Sequence, residues 1–184
     1  MEKELLSNNS GRRILITGPE STGKSELSLS LAEHFRGICI PEYAREYIED
    51  LVEPYEFGDI EQIATRQIRD YNSVKHAEEW VFFDTWLIIT RVWFDVKYGR
   101  IPEWVDQRIS EADFDLVLLC APDIPWVADR VREHGGESRK ILFDRYKTEL
   151  DAFKMRWEVV TGEGEKRFTN ALKYINSYLK DGAT

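Results

Sequence analysis

Cysteine is nearly absent from this chain: Cys39 and Cys120 are the only two in 184 residues. Neither belongs to a Cys-x-x-Cys spacing or has a histidine nearby. Both sit in short apolar runs, which favours free core thiols over a disulfide or a metal pair. Histidine is as scarce. His34, His76 and His134 stand apart, with neither metal-ligand spacing nor a serine or cysteine partner, and read as surface or capping residues. Positive charge is in deficit: 25 Lys and Arg face 34 Asp and Glu, a net charge of −9. That balance argues against broad binding to DNA or RNA and for a small-molecule partner. A membrane-spanning run is missing as well. The most apolar stretch, Trp80 to Phe94, is broken by Asp84 and Arg91 and is shorter than the roughly 20 residues a span needs. Met1 to Asn9 is charged and polar, so no signal peptide is read there and a cytoplasmic, reducing environment is expected. Internal repeats and low-complexity tracts are also lacking.

What is present is organised around Gly18-Pro19-Glu20-Ser21-Thr22-Gly23-Lys24-Ser25. It follows the apolar run Ile14-Leu15-Ile16 and precedes a segment patterned as a helix. The spacing G-x-x-x-x-G-K-[ST] suits a phosphate-binding loop, because glycines let backbone amides turn inward around phosphate oxygens at a helix N-terminus. Lys24 would reach the β- and γ-phosphates of ATP, and Ser25 would offer its hydroxyl to Mg²⁺. The length suits one domain with a single core, taken as 12–184 after a mobile tail over 1–11.

Along the chain, apolar runs at Arg13–Thr17, Ile38–Ile40, Trp80–Thr85, Leu116–Cys120 and Trp157–Val160 read as strands separated by amphipathic helices. This predicts an α/β fold: a five-stranded parallel sheet flanked by helices, of the P-loop NTPase type. In such sheets ligands sit at the carboxyl ends of strands. Glu42 lies there, with Arg45 three residues on, and the pair reads either as a substrate-hydroxyl acceptor with a polar clamp or as a surface ion pair. Asp84 ends its strand where a metal-binding carboxylate is needed, or else caps the following helix. Tyr55 and Phe57 either cover a ligand or anchor their loop. Ala121 to Gly136 carries Arg130 and Arg132 before a glycine pair, which suits a mobile lid bringing positive charge over a transferring phosphate, or a solvated surface helix. Trp93 and Phe94 are expected in the core. The loop Thr161 to Gly164, with Gly162, is expected along adenine.

These residues resemble the kinase domain of the NadR-type ribosylnicotinamide kinases and their stand-alone AAA-like relatives. The likeness covers roughly Arg12 to Asn176. It rests on Gly18 to Ser25, Glu42-Tyr43-Ala44-Arg45-Glu46-Tyr47, Phe83-Asp84-Thr85, and Pro125-Trp126-Val127 with Asp129 and Arg132; Gly162, Gly164 and Arg167 match the final loop and helix. The resemblance implies a nucleoside-kinase-like fold with a lid and transfer of phosphate from ATP to the 5′-hydroxyl of nicotinamide riboside. It assigns Lys24, Glu42, Asp84 and Arg132 to catalysis. Two positions depart from the pattern: Pro41 stands where the family has a tryptophan that stacks on nicotinamide, and Trp86 where it commonly has a second acid. Trp86 is the expected replacement stacking surface. The alternative is a P-loop ATPase or switch protein whose acceptor is water; a GTPase lacks support because no Asn-Lys-x-Asp signature occurs.

Overall fold

The computed structural model describes residues 11–127 and 137–181. The expected tail, apart from Gly11, and the part of the expected lid from Ala128 to Gly136, Arg132 among them, lie outside the described residues. Five strands form one parallel sheet: β1 (Arg13–Thr17), β2 (Ile38–Ile40), β3 (Val81–Asp84), β4 (Leu116–Cys120) and β5 (Trp157–Val160), in the order β2-β3-β1-β4-β5. Among the described residues, seven helices connect and flank them: α1 (Lys24–Phe35), α2 (Tyr43–Glu49), α3 (Phe57–Val74), α4 (Leu87–Tyr98), α5 (Glu103–Glu111), α6 (Glu137–Ala152) and α7 (Gly164–Asp181).

The strands follow from continuous apolar runs. All residues of β3 and β4 are buried, as expected of strands covered on both faces. Their period-two alternation sorts the core into two layers. Leu15, Phe83, Val117 and Leu119 face α3 to α6, while Ile14, Ile16, Phe82, Leu118 and Cys120 face α1 and α7. Cys39 and Cys120 are both free thiols.

Helix α3 begins at Phe57. Glu56 and Asp59 cap it reciprocally, the Glu56 amide donating to the Asp59 carboxylate at 2.7 Å. Two acids thus do what a Ser/Thr–Glu pair does in the usual capping box. Helix α1 ends on Arg36 in the left-handed region, and Gly37 donates its amide to the Ala32 carbonyl at 2.8 Å. No helix among the described residues is long and apolar enough to cross a membrane.

The sheet order fixes where a site forms. Strand β1 lies between β3 and β4, so the connections leaving β1 and β3 part to opposite sides and open a crevice at the carboxyl edge. Ile16 of β1 pairs with Asp84 of β3, which sets that carboxylate level with the start of the loop after β1.

Candidate active site

The loop after β1 leaves the sheet through Gly18, whose φ of 136° is in a region that only glycine enters readily. A Cβ there would lie 2.7 Å from the Cys120 carbonyl oxygen, so β4 also excludes a side chain. Gly23, at φ 72°, precedes α1, and no side chain caps that helix. Its first amides therefore stay available, and the helix dipole favours an anion beside them. The Pro19 carbonyl accepts from the Thr22 hydroxyl at 2.9 Å and from the Lys24 ammonium at 2.8 Å. Lys24 is only 7% exposed, a charge kept inside by the carboxylates around it.

Asp84 and Glu42 are those carboxylates. Asp84, 3% exposed, has its pKa raised by burial, against the pull of Lys24, the Ser25 hydroxyl and Arg45. Its Oδ1 is buried without a hydrogen-bond partner. Asp84 does not cap α4: Trp86 occupies the N-cap position and the helix has no side-chain cap. Between them Thr85 holds φ 67°, a strained conformation for a β-branched residue, while its amide donates to the Ile16 carbonyl at 2.9 Å. Glu42 stands half-buried at the N-cap position of α2. Burial raises its pKa first; Lys24 and Arg45 lower it, and Asp84 and Glu20 raise it. Arg45 lines the same cavity, and its ion pair is made with Glu49, one turn on, at 3.5 Å.

A cavity of about 640 Å³ runs from the loop, Glu20 to Glu26, past Glu42 and Arg45 to an aromatic end. Tyr55 and Trp93 form that end with rings 4.8 Å apart. The Lys97 ammonium lies 3.2 Å from the Tyr55 ring centroid. Tyr146 and Leu142 of α6 close another wall. Phe57 packs on Phe94 and Tyr98 as an anchor within α3.

Two expectations are corrected. Trp86 does not reach the cavity: it is 2% exposed, packs against Tyr71 and Phe114, and donates its indole N–H to the Gln67 carbonyl at 3.1 Å. Trp93, expected in the core, lines the cavity instead. The signal was available as a helical stripe, since Ile89, Val92, Trp93, Val96 and Lys97 share one face of α4. Gly162 lies behind the loop rather than in the cavity wall; its amide donates to Asp123 at 2.7 Å and its carbonyl accepts from Arg167.

The residues present fit Mg²⁺. Ser25 and Asp84 offer hard oxygen donors side by side, one carboxylate oxygen having no protein partner. No cluster of three or more His, Cys, Asp or Glu suited to a metal occurs among the described residues.

A family model described as AAA domain matches residues 13–167. Two trifunctional NAD biosynthesis/regulator proteins NadR align over 145 residues, or 76% of this chain: that of Salmonella typhimurium at 32% identity and that of Escherichia coli at 33%. The chain spans about a third of their length, 35%. Among solved structures, a NadR protein in complex with NR superposes with a TM-score of 0.72 at 23% identity, over 92% of this chain and 52% of that one. A thymidylate kinase from Ehrlichia chaffeensis gives 0.67 at 13% identity, over 91% and 98%. The fold is accordingly that of the P-loop kinases, and the match over residues 13–167 makes this chain a member of the AAA domain family and a relative of the NadR proteins.

Proposed function

We propose that the chain is an ATP-dependent kinase acting on the 5′-hydroxyl of a nucleoside, with nicotinamide riboside the foremost acceptor and nicotinamide mononucleotide the product. The observation that carries the reading is the shape of the site. One cavity of about 640 Å³ joins the phosphate loop to Glu42, Arg45 and an aromatic end. A hydrolytic water needs no such space, whereas a nucleoside fills a pocket of this class. The relatives named for NAD biosynthesis, and the NadR structure holding NR, support nicotinamide riboside as the acceptor.

In this reading the chain works mostly by positioning and electrostatics. The loop amides and Lys24 hold the β- and γ-phosphates. Ser25 and Asp84 would hold Mg²⁺, which supplies charge neutralisation on the phosphate oxygens when bound. Glu42 takes the proton from the acceptor hydroxyl as its oxygen bonds to the γ-phosphorus and ADP leaves. A raised pKa suits that role, because it brings the carboxylate closer to the operating pH of a base. Arg45 fixes the sugar, Tyr55 and Trp93 receive the base, and Arg132, from outside the described residues, is assigned to the transferred charge.

The test is transfer from γ-labelled ATP to nicotinamide riboside, cytidine, uridine and adenosine, with the product identified by mass. A labelled nucleoside monophosphate is expected, in highest yield from nicotinamide riboside. Intact ATP binding with slow hydrolysis that no nucleoside alters would replace the kinase with the ATPase or switch reading.

A further inference from the structure

Two arginines outside the cavity lie almost wholly inside the protein: Arg139 of α6 is 5% exposed and Arg167 of α7 is 3% exposed. A guanidinium leaves water only where acceptors replace it. Here the acceptors include two successive carbonyls of the phosphate loop. Arg139 donates through Nη2 to the Ser21 carbonyl at 2.9 Å and through Nη1 to the Ile124 carbonyl at 3.1 Å. Arg167 donates through Nη1 to the Thr22 carbonyl at 2.5 Å, and through Nη2 to the Ala121 carbonyl at 3.1 Å and to Asp123.

The planar peptide turns this into a statement about amides. A carbonyl and the N–H of the next residue point opposite ways across one plane. Fastening the Ser21 and Thr22 carbonyls on the protein side therefore turns the Thr22 and Gly23 amides the other way. The loop needs such restraint, because Ser21 holds φ 52°, a left-handed conformation that a non-glycine residue keeps only when its surroundings impose it. Val127 adds a third hold, its amide donating to the Ser21 hydroxyl at 3.1 Å.

We propose that Arg139 and Arg167 are positioning residues for the phosphate loop, locking two consecutive peptide planes so that the Thr22 and Gly23 amides face the nucleotide phosphates. Neither residue lines the cavity; both act from beneath the loop through its carbonyls. Their fork geometry does the holding, since the two Nη groups of a planar guanidinium reach separate carbonyls in one fixed arrangement, whereas an ammonium is a point donor on a flexible stem. Arg139 also links the loop to the acceptor wall, because Leu142 and Tyr146 follow three and seven residues later on the same face of α6.

The inference rests on the phosphate loop binding nucleotide, and the experiment separates the two. Wild type, R139Q and R139K are titrated calorimetrically with a non-hydrolysable ATP analogue and with inorganic tripolyphosphate, and their melting temperatures are measured without ligand. Wild type binds both probes, and both variants bind them about 10- to 100-fold more weakly, as is typical when a group that orients a ligand's direct contacts is removed. R139K keeps the charge and serves if R139Q melts too early to titrate. Equal affinities in wild type and both folded variants overturn the proposal, as does full recovery by R139K, which would make the effect one of charge alone. A wild-type chain that binds neither probe overturns the nucleotide-binding reading itself, and this proposal with it.

Discussion

Trp93 donates its indole N–H to the Tyr55 hydroxyl at 2.8 Å, and this bond ties the loop before α3 to the cavity face of α4. The two aromatic rings are thereby held edge to face, their planes inclined at 69°, at the far end of the cavity. Trp93→Ala is expected to raise the nucleoside KM about 5- to 30-fold, the worth of one well-placed ring, while the KM for ATP stays within about twofold. Trp93→Phe keeps most of the surface and should fall between. Steady-state kinetics with each substrate varied in turn decide it; equal effects on both KM values would mean that the ring supports the fold rather than the acceptor.

Lys97 places a positive charge beside Tyr55. The ring of nicotinamide riboside is itself cationic, so the lysine opposes it, whereas uridine carries no such charge. Lys97→Ala should lower the KM for nicotinamide riboside about two- to fivefold, leave uridine unchanged, and lose its effect at high salt. An identical response from both nucleosides removes the electrostatic explanation.

Lys24 acts on both carboxylates, Glu42 and Asp84, and is bonded to the phosphate loop through the Pro19 carbonyl. Its replacement by Met should reduce the transfer rate by about 10²- to 10³-fold, as when one preorganised donor to developing charge is removed. It should also lift the pKa of Glu42 and Asp84 further, since Lys24 is the strongest lowering influence on each. A pH–rate profile of the residual activity displaced to higher pH is the signature; an unmoved profile contradicts it.

The same carboxylates give a stability prediction with a definite sign. Their pKa values are raised in the folded protein above the ordinary 4.5 and 3.8, so the folded form binds these protons more tightly than the unfolded chain does. That contribution is complete below the ordinary values and is lost as pH rises through the raised ones. At pH 7 the charged groups therefore cost stability. Glu42→Gln and Asp84→Asn should melt higher than wild type at pH 7, by about 2–4 °C for each kcal/mol relieved, and converge with it as the pH falls toward 4. Both should lose transfer activity. Calorimetric scans across that range test this, and variants that melt below wild type at pH 7 would show that the carboxylates' contacts outweigh their burial.

Much of the fold was legible because the central strands are unbroken apolar runs, and Leu116 to Cys120 has no other reasonable place than a doubly covered strand. Glycine spacing, Lys24 and the strand-ending acids Glu42 and Asp84 were legible for the same reason: their positions follow from where strands stop. The aromatic wall was legible only in part: Tyr55 stands out in its loop, and helical spacing groups Trp93 with Ile89, Val92, Val96 and Lys97 without saying what that face meets. Trp86 and Trp93 are seven residues apart on one segment and equally apolar, so composition cannot say which faces the cavity. What separates them is the turn between: Thr85 takes a left-handed conformation and Trp86 an extended one, so that Trp86 points into the core before the helix starts at Leu87. A strained backbone at a threonine has no signature in sequence. The Glu56 and Asp59 cap has no ready signature either, because acids rarely fill both capping roles.

The order β2-β3-β1-β4-β5 divides the labour along the chain. Apart from Leu142 and Tyr146, every cavity residue beyond the phosphate loop comes from the continuous stretch between Glu42 and Lys97. The parts that grip the loop from behind, Cys120 to Ile124, Arg139 and Arg167, come later. In the proposed reading acceptor choice is carried mostly by the cavity-facing side chains of that one stretch, while Asp84 within it serves the donor. Recoding what is phosphorylated would mean exchanging those side chains, with Leu142 and Tyr146 to match, and keeping Asp84 in place.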